Sequence, residues 1–116
     1  MNPETKIQRK IMLALSEAGC IVFRNEVAGA WMGKVIHKDS SQVTIKDARM
    51  MRFGLAVGSS DLIFIAPGGK FGAIEVKTPT GRATKEQLLF IDAVIKAGGI
   101  AGIARSVEDA LSLIRG

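Results

Sequence analysis

Apolar residues at Ile7, Ile11, Ala14, Leu15 and Ala18 recur at three- and four-residue spacing, and Asn2-Pro3 ahead of them supplies an N-cap and a first helical position. The pattern predicts a helix from about Pro3 to Ala18, stopped by Gly19. Cys20-Ile21-Val22-Phe23 is β-branched and aromatic enough to be a strand entering a core. Between Arg24 and Arg52 the texture changes to half-polar alternation, Lys34-Val35-Ile36-His37 and Gln42-Val43-Thr44-Ile45-Lys46, around the turn-forming cluster Lys38-Asp39-Ser40-Ser41. That stretch reads as a projecting, poorly hydrophobic β-hairpin.

After Phe53, with Gly54 and Gly58 as hinges, Asp61 to Ala66 is an apolar run of the kind found in a strand covered on both faces. Pro67-Gly68-Gly69-Lys70 is a turn, and Phe71 to Lys77 is its hairpin partner. Thr84 followed by Gln87 makes a capping-box pattern, and Leu88, Ile91, Val94 and Ile95 form a stripe, so a second helix spans about Lys85 to Ala97. Ile100 to Ala104 is a last strand, after which Ser106 caps a short terminal helix through Leu111 and Ile114. This order implies an α/β fold, one mixed sheet with helices on both faces. The segment from Glu75 through the second helix to Ile100 is a strand-helix-strand unit, expected to be parallel with a right-handed crossover. There is no internal repeat. A chain of 116 residues buries roughly two thirds of its unfolded surface, enough for a single core and one domain over 1–116.

Composition narrows the chemistry. One Cys, one His and no Tyr rule out an internal disulfide, a single-chain thiolate or multi-histidine metal site and a tyrosine nucleophile, and they suit a reducing, cytoplasmic compartment. A metal would have to be held by oxygen, which favours Mg²⁺ or Mn²⁺. No apolar run approaches the ~20 residues of a membrane span. The formal charge is +5, of which +3 falls between Arg24 and Arg52: Arg24, Lys34, Lys38, Lys46, Arg49 and Arg52 oppose Glu26, Asp39 and Asp47. A polyanionic partner fits that balance.

The most informative chemistry is Asp61 at the start of one expected strand and Glu75-Val76-Lys77 at the end of the next. Alternate strand residues share a face, so Glu75 and Lys77 project together about 6–7 Å apart while Val76 points into the core. Antiparallel pairing brings Asp61 opposite this end, collecting two carboxylates and an ammonium on a sheet surface. Such carboxylates repel unless a cation compensates, and Mg²⁺ takes both as ligands, with the Val76 carbonyl available as a third. Lys77 suits an electrostatic role toward water or a developing negative charge.

Gly58-Ser59-Ser60-Asp61, thirteen residues, then Glu75-Val76-Lys77 resembles the PD-(D/E)XK nuclease signature. Gly81-Arg82-Ala83-Thr84-Lys85-Glu86-Gln87, Gly98-Gly99, Glu4 to Gln8 and Arg24-Asn25 are similar to its VRR-NUC branch, so the resemblance covers nearly the whole chain. It implies a restriction-endonuclease-like fold and a Mg²⁺- or Mn²⁺-dependent DNA endonuclease. By that resemblance Asp61, Glu75 and the Val76 carbonyl are metal ligands, Lys77 is the catalytic lysine, and Glu4 and Gln87 support them from the two helices. Ser60 stands where the motif has proline. Stand-alone members of this branch are often phage-encoded and resemble homodimeric enzymes that cut four-way junctions, so branched DNA and a second copy are the implied partners. Arg24, Lys34, Lys38, Lys46, Arg49, Arg52 and Arg82 are the DNA-contact candidates.

Each residue also has a structural explanation. Asp61 can bond backbone amides at a strand entry, and Glu75 with Lys77 can be an exposed pair. Glu4 can favour a helix N-terminus, and Gln87 can merely complete a capping box. Trp31 suits base stacking, a dimer contact or packing of the hairpin. His37 is a hairpin residue and Cys20 a buried small hydrophobe. Ser59 and Ser60 lack a base within the motif. The competing function is a non-catalytic basic DNA-binding or assembly module on the same fold.

Overall fold

A computed structural model of the chain describes residues 1–26 and 28–116, with Ala28 and Phe53 described by their backbone alone. In chain order the elements are α1 (Pro3–Glu17), β1 (Ile21–Arg24), β2 (Ala28–Lys38), β3 (Val43–Phe53), β4 (Leu62–Ala66), β5 (Lys70–Val76), α2 (Lys85–Lys96), β6 (Ile100–Ala104) and α3 (Val107–Arg115). They fall into two units, residues 1–25 with 57–116, and residues 26–56.

The larger unit carries a four-stranded sheet in the order β1-β4-β5-β6, antiparallel except for the parallel pair β5-β6. The expected mixed sheet and parallel strand-helix-strand unit are both present. Even-numbered positions Leu62, Phe64, Ile74, Val76 and Ala104 pack with Ile11 and Leu15 of α1 and Ala110 of α3. Odd-numbered Ala73 and Ala101 pack with Ile91 and Val94 of α2, flanked by Ile63, Phe90 and Ile103. The β4 run is less covered than its composition suggests. Ile65 is 40% exposed, as are Ile21 and Phe23 of β1 at 58% and 52%. A helix is about 10 Å across and strands lie about 4.8 Å apart, so α2 alone covers two strands while α1 and α3 together cover the opposite face.

The caps follow the sequence. The Asn2 side chain accepts from the Thr5 N–H at 2.8 Å, Thr84 and Gln87 form a reciprocal capping box on α2, and the Ser106 side chain accepts from the Asp109 N–H at 3.1 Å. Cys20 is buried at 6% exposure, and burial pushes its thiol pKa up. Among the described residues no helix is long and apolar enough to cross a membrane.

The smaller unit is the antiparallel ribbon β2-β3. The Asp39 carboxylate locks its turn, accepting from the Ser41 N–H, the Ser41 hydroxyl and the Gln42 N–H at 2.8–2.9 Å. His37 Nε2 lies 3.0 Å from its other oxygen, and these bonds, the His37 one foremost, hold the Asp39 carboxyl well below the usual carboxylate range. The register shifts between Met32 and Lys34, where Asp47, at φ 54°, takes the left-handed backbone of a bulge opposite Gly33. A Cβ on Gly33 would sit 2.7 Å from the Lys46 carbonyl, so only glycine fits that position. The ribbon is richer in exposed apolar side chains than expected: Trp31, Met32, Val35, Ile36 and Met50 are each about half exposed or more. Two strands by themselves have no second layer to bury either face.

Candidate active site

The site grows from the β4-β5 register. Leu62 pairs with Ile74 as the last ladder step, so one residue further Asp61 stands opposite Glu75. The Val76 N–H donates to Asp61 Oδ2 at 2.9 Å, which fixes the carboxylate against the end of β5. Gly58 lets the preceding loop approach α2. It has φ +86°, and a Cβ there would meet the Glu86 backbone at 2.6 Å. Gly58 is therefore a point of close packing rather than a hinge.

Glu75 faces α2 and is 2% exposed, so the acidic pair is not laid out on an open sheet surface as alternation alone suggested. Alternation fixes which residues share a face, but the docking of α2 decides whether that face is wet. Gln87 Nε2 donates to Glu75 Oε1 at 3.0 Å, and Lys77 Nζ is 3.6 Å from the same oxygen, its side chain 14% exposed. Glu75 Oε2 is buried without a hydrogen-bond partner among the described residues. Burial, then the neighbouring Asp61 charge, push the Glu75 carboxyl up from 4.5 to about 8, with Lys77 opposing.

Gln87 has two contacts at once: its Oε1 accepts from the Thr84 N–H at 2.8 Å while its Nε2 serves Glu75. Glu4 lies half-buried in the first turn of α1. Among the described residues no three His, Cys, Asp or Glu side chains form a metal-holding group, so Glu4 does not join Asp61 and Glu75 as a third carboxylate. Val76 buries its side chain on the α1 face of the sheet. Arg24, Lys34, Lys38, Lys46, Arg49, Arg52 and Arg82 are all exposed. Within the ribbon Lys34 pairs directly with Lys46.

Arg105 is a residue that sequence patterning passed over. Its Nη1 donates to the carbonyls of Thr78 and Gly81, the latter at 2.7 Å, and the Lys77 N–H donates to the Ala104 carbonyl at 3.1 Å. These bonds fix the turn that follows Lys77. The only sequence signal was a lone arginine between the last strand and its Ser106 cap.

The donor set fits a hard divalent cation. Two carboxyls converge, one is buried, and the charge of each raises the cost of ionising the other, a cost that a cation between them would relieve; Glu75 Oε2 has no hydrogen-bond partner among the described residues.

The family model of the VRR-NUC domain matches residues 4–108. A solved structure described as a VRR_NUC domain is similar with a TM-score of 0.62 at 17% identity, covering 99% of this chain and 97% of that one. At that identity the likeness is one of fold. No curated protein matches the chain.

Proposed function

The chain belongs to the VRR-NUC domain family, a nuclease-type family, and from that premise we propose that it is a divalent-metal-dependent DNA endonuclease hydrolysing phosphodiester bonds. The observation that carries the reading is Glu75: a carboxyl at 2% exposure with an unpartnered oxygen beside a second carboxylate. A fold gains little from such a pair, because burial and the neighbouring Asp61 charge penalise the ionised form of Glu75 beyond what its Gln87 and Lys77 contacts return. Perturbed acids in this kind of setting mark functional sites.

Asp61 and Glu75 would hold Mg²⁺ or Mn²⁺, with the Val76 carbonyl as a third oxygen. Bound there, the cation supplies Lewis-acid charge to the phosphodiester and acidifies water. The chain's own contributions are positional. Gln87 orients Glu75 by donating from Nε2 to Glu75 Oε1, the Val76 N–H orients Asp61, and the Lys77 ammonium beside them offers donors to attacking water or to a phosphate oxygen as charge develops. Arg105 keeps the turn after Lys77 from moving that ammonium.

The substrate is assigned as branched DNA, the four-way junction first, cut by a homodimer whose two sites are related by a two-fold axis. What supports DNA is membership of the VRR-NUC family, together with a ribbon whose Lys34 and Lys46 stand side by side for phosphate contact; the junction and the dimer are what the family resemblance implies. The test is incubation of wild type, Glu75→Ala and Lys77→Ala with linear, flap and four-way-junction DNA in Mg²⁺, Mn²⁺ or EDTA. Cleavage only with metal, lost in both variants and strongest on the junction, is expected. Cutting in EDTA, or equal cutting by the variants, overturns the catalytic assignment, and a binding protein that never cuts is the assembly module instead. Sedimentation as a monomer at micromolar concentration overturns the dimer.

A further inference from the structure

Asn25 follows the last residue of β1 and reaches three consecutive residues far along the chain. Its main-chain N–H donates to the Asp61 carbonyl at 2.8 Å, and its Nδ2 donates to Ser59 Oγ at 2.7 Å and to the Ser60 carbonyl at 2.9 Å. The β1-β4 ladder ends at Arg24 with Leu62, so the Asn25 bond to Asp61 extends it by one step beyond the regular strand. The side-chain amide then holds the two residues before Asp61, which no ladder reaches. Asparagine suits this because one NH₂ group carries two donors on a short stem.

We infer that Asn25 is a positioning residue for the reaction, setting the main chain at Ser59 to Asp61 so that the Asp61 carboxylate meets the Val76 N–H on one side and its ligand on the other. The inference rests on the nuclease reading for the ligand, but its hold on Asp61 stands on hydrogen bonds alone. Asp61 is fixed twice: its backbone from β1 through Asn25, its side chain from β5 through Val76. Neither tether alone determines where the carboxylate sits. Groups that orient ligands in this way alter metal affinity or activity by about 10–100-fold when removed.

The test reads amide hydrogen exchange by NMR on the metal-free protein and Mn²⁺ binding by calorimetry, for wild type, Asn25→Ala and Asn25→Asp. The aspartate is isosteric and keeps the main-chain bond while removing both side-chain donors, so it stands in if the alanine variant fails to fold. Expected is exchange of the Val76 amide faster by about 10-fold or more, with the Lys77 amide, which bonds Ala104, unchanged, and Mn²⁺ affinity weakened at least about 10-fold. A Val76 amide that does not respond overturns the inference. So does uniform acceleration of all core amides, which marks a stabilising role only, and so does unchanged Mn²⁺ affinity in a variant whose Val76 amide responds. If wild type takes up no Mn²⁺ while the Val76 amide still responds, the positioning of Asp61 holds and the metal reading is what fails.

Discussion

Replacing Glu75 by glutamine keeps the shape of the side chain and removes the charge that the site is built to hold. The Glu75 carboxyl is displaced from 4.5 to about 8, and at about 1.36 kcal/mol per pH unit this is on the order of 5 kcal/mol of folding free energy. The folded state favours the protonated form. The contribution of Glu75 is therefore fully present below about pH 4.5 and is lost as pH rises through about 8. In EDTA, urea melts of wild type should lose that increment between those limits, whereas Glu75→Gln should not. Subtracting the two curves cancels the titrations that Glu75 does not touch, so the difference reports Glu75 together with its coupling to Asp61 and Lys77. The expected result is a Glu75→Gln advantage growing by several kcal/mol from pH 4.5 to 9. Mn²⁺ at a thousand times its Kd should then reverse the order near neutral pH, since it stabilises the wild type by about 4.1 kcal/mol against the roughly 3.4 kcal/mol lost by pH 7, and the glutamine variant has lost a ligand. A difference curve flat within about 1 kcal/mol across the range refutes the argument, because Glu75 would then be ionised at no cost.

Ser60→Ala should leave stability unchanged or raise it by about 1 kcal/mol, since the Ser60 hydroxyl is fully buried without a partner among the described residues; a loss of that size in a urea melt counts against the reading. Gly72→Ala should cost about 1–3 kcal/mol, because a Cβ there would overlap the edge of the Phe64 ring at Cζ, Cε1 and Cε2; a thermal melt unchanged from wild type would contradict this. Replacing Lys34 and Lys46 together by alanine should lower the slope of log affinity for DNA against log salt by roughly one per lysine, and relieve the repulsion of a directly opposed pair; an unchanged slope places the DNA elsewhere.

Most of the fold is written in short-range pattern. α1 and the three caps follow from Asn2, Thr84, Ser106 and the spacing of Ile7, Ile11 and Leu15, because each of those signals acts within one or two turns of chain. The exposure of Ile21, Phe23 and Ile65 was not legible. It depends on how many strands one helix spans, a property of the assembled layer rather than of any residue in it. The ribbon misled for a related reason. Alternation at Lys34 to His37 suggested one polar face, but bulges at Met32/Lys34 and Val35/His37 shift the side-chain phase.

At the site the same distinction holds more sharply. The Asp61, Glu75 and Lys77 spacing was visible because strand periodicity fixes which side chains share a face, yet burial of Glu75 was not, since it comes from α2. Gln87 shows why. As the third residue after Thr84 it satisfies a capping box, and a local pattern that is already satisfied gives no reason to look for a second contact. Its amide nevertheless divides, Oε1 to the cap and Nε2 to Glu75. The cap thus sets the rotation of the group that orients a buried carboxylate, so the start of α2 and the geometry of the acidic pair are one structural unit. A glutamine can join them because its side chain carries both an acceptor and donors. Glutamate would complete the same capping box but bring a third carboxylate where Glu75 needs a donor.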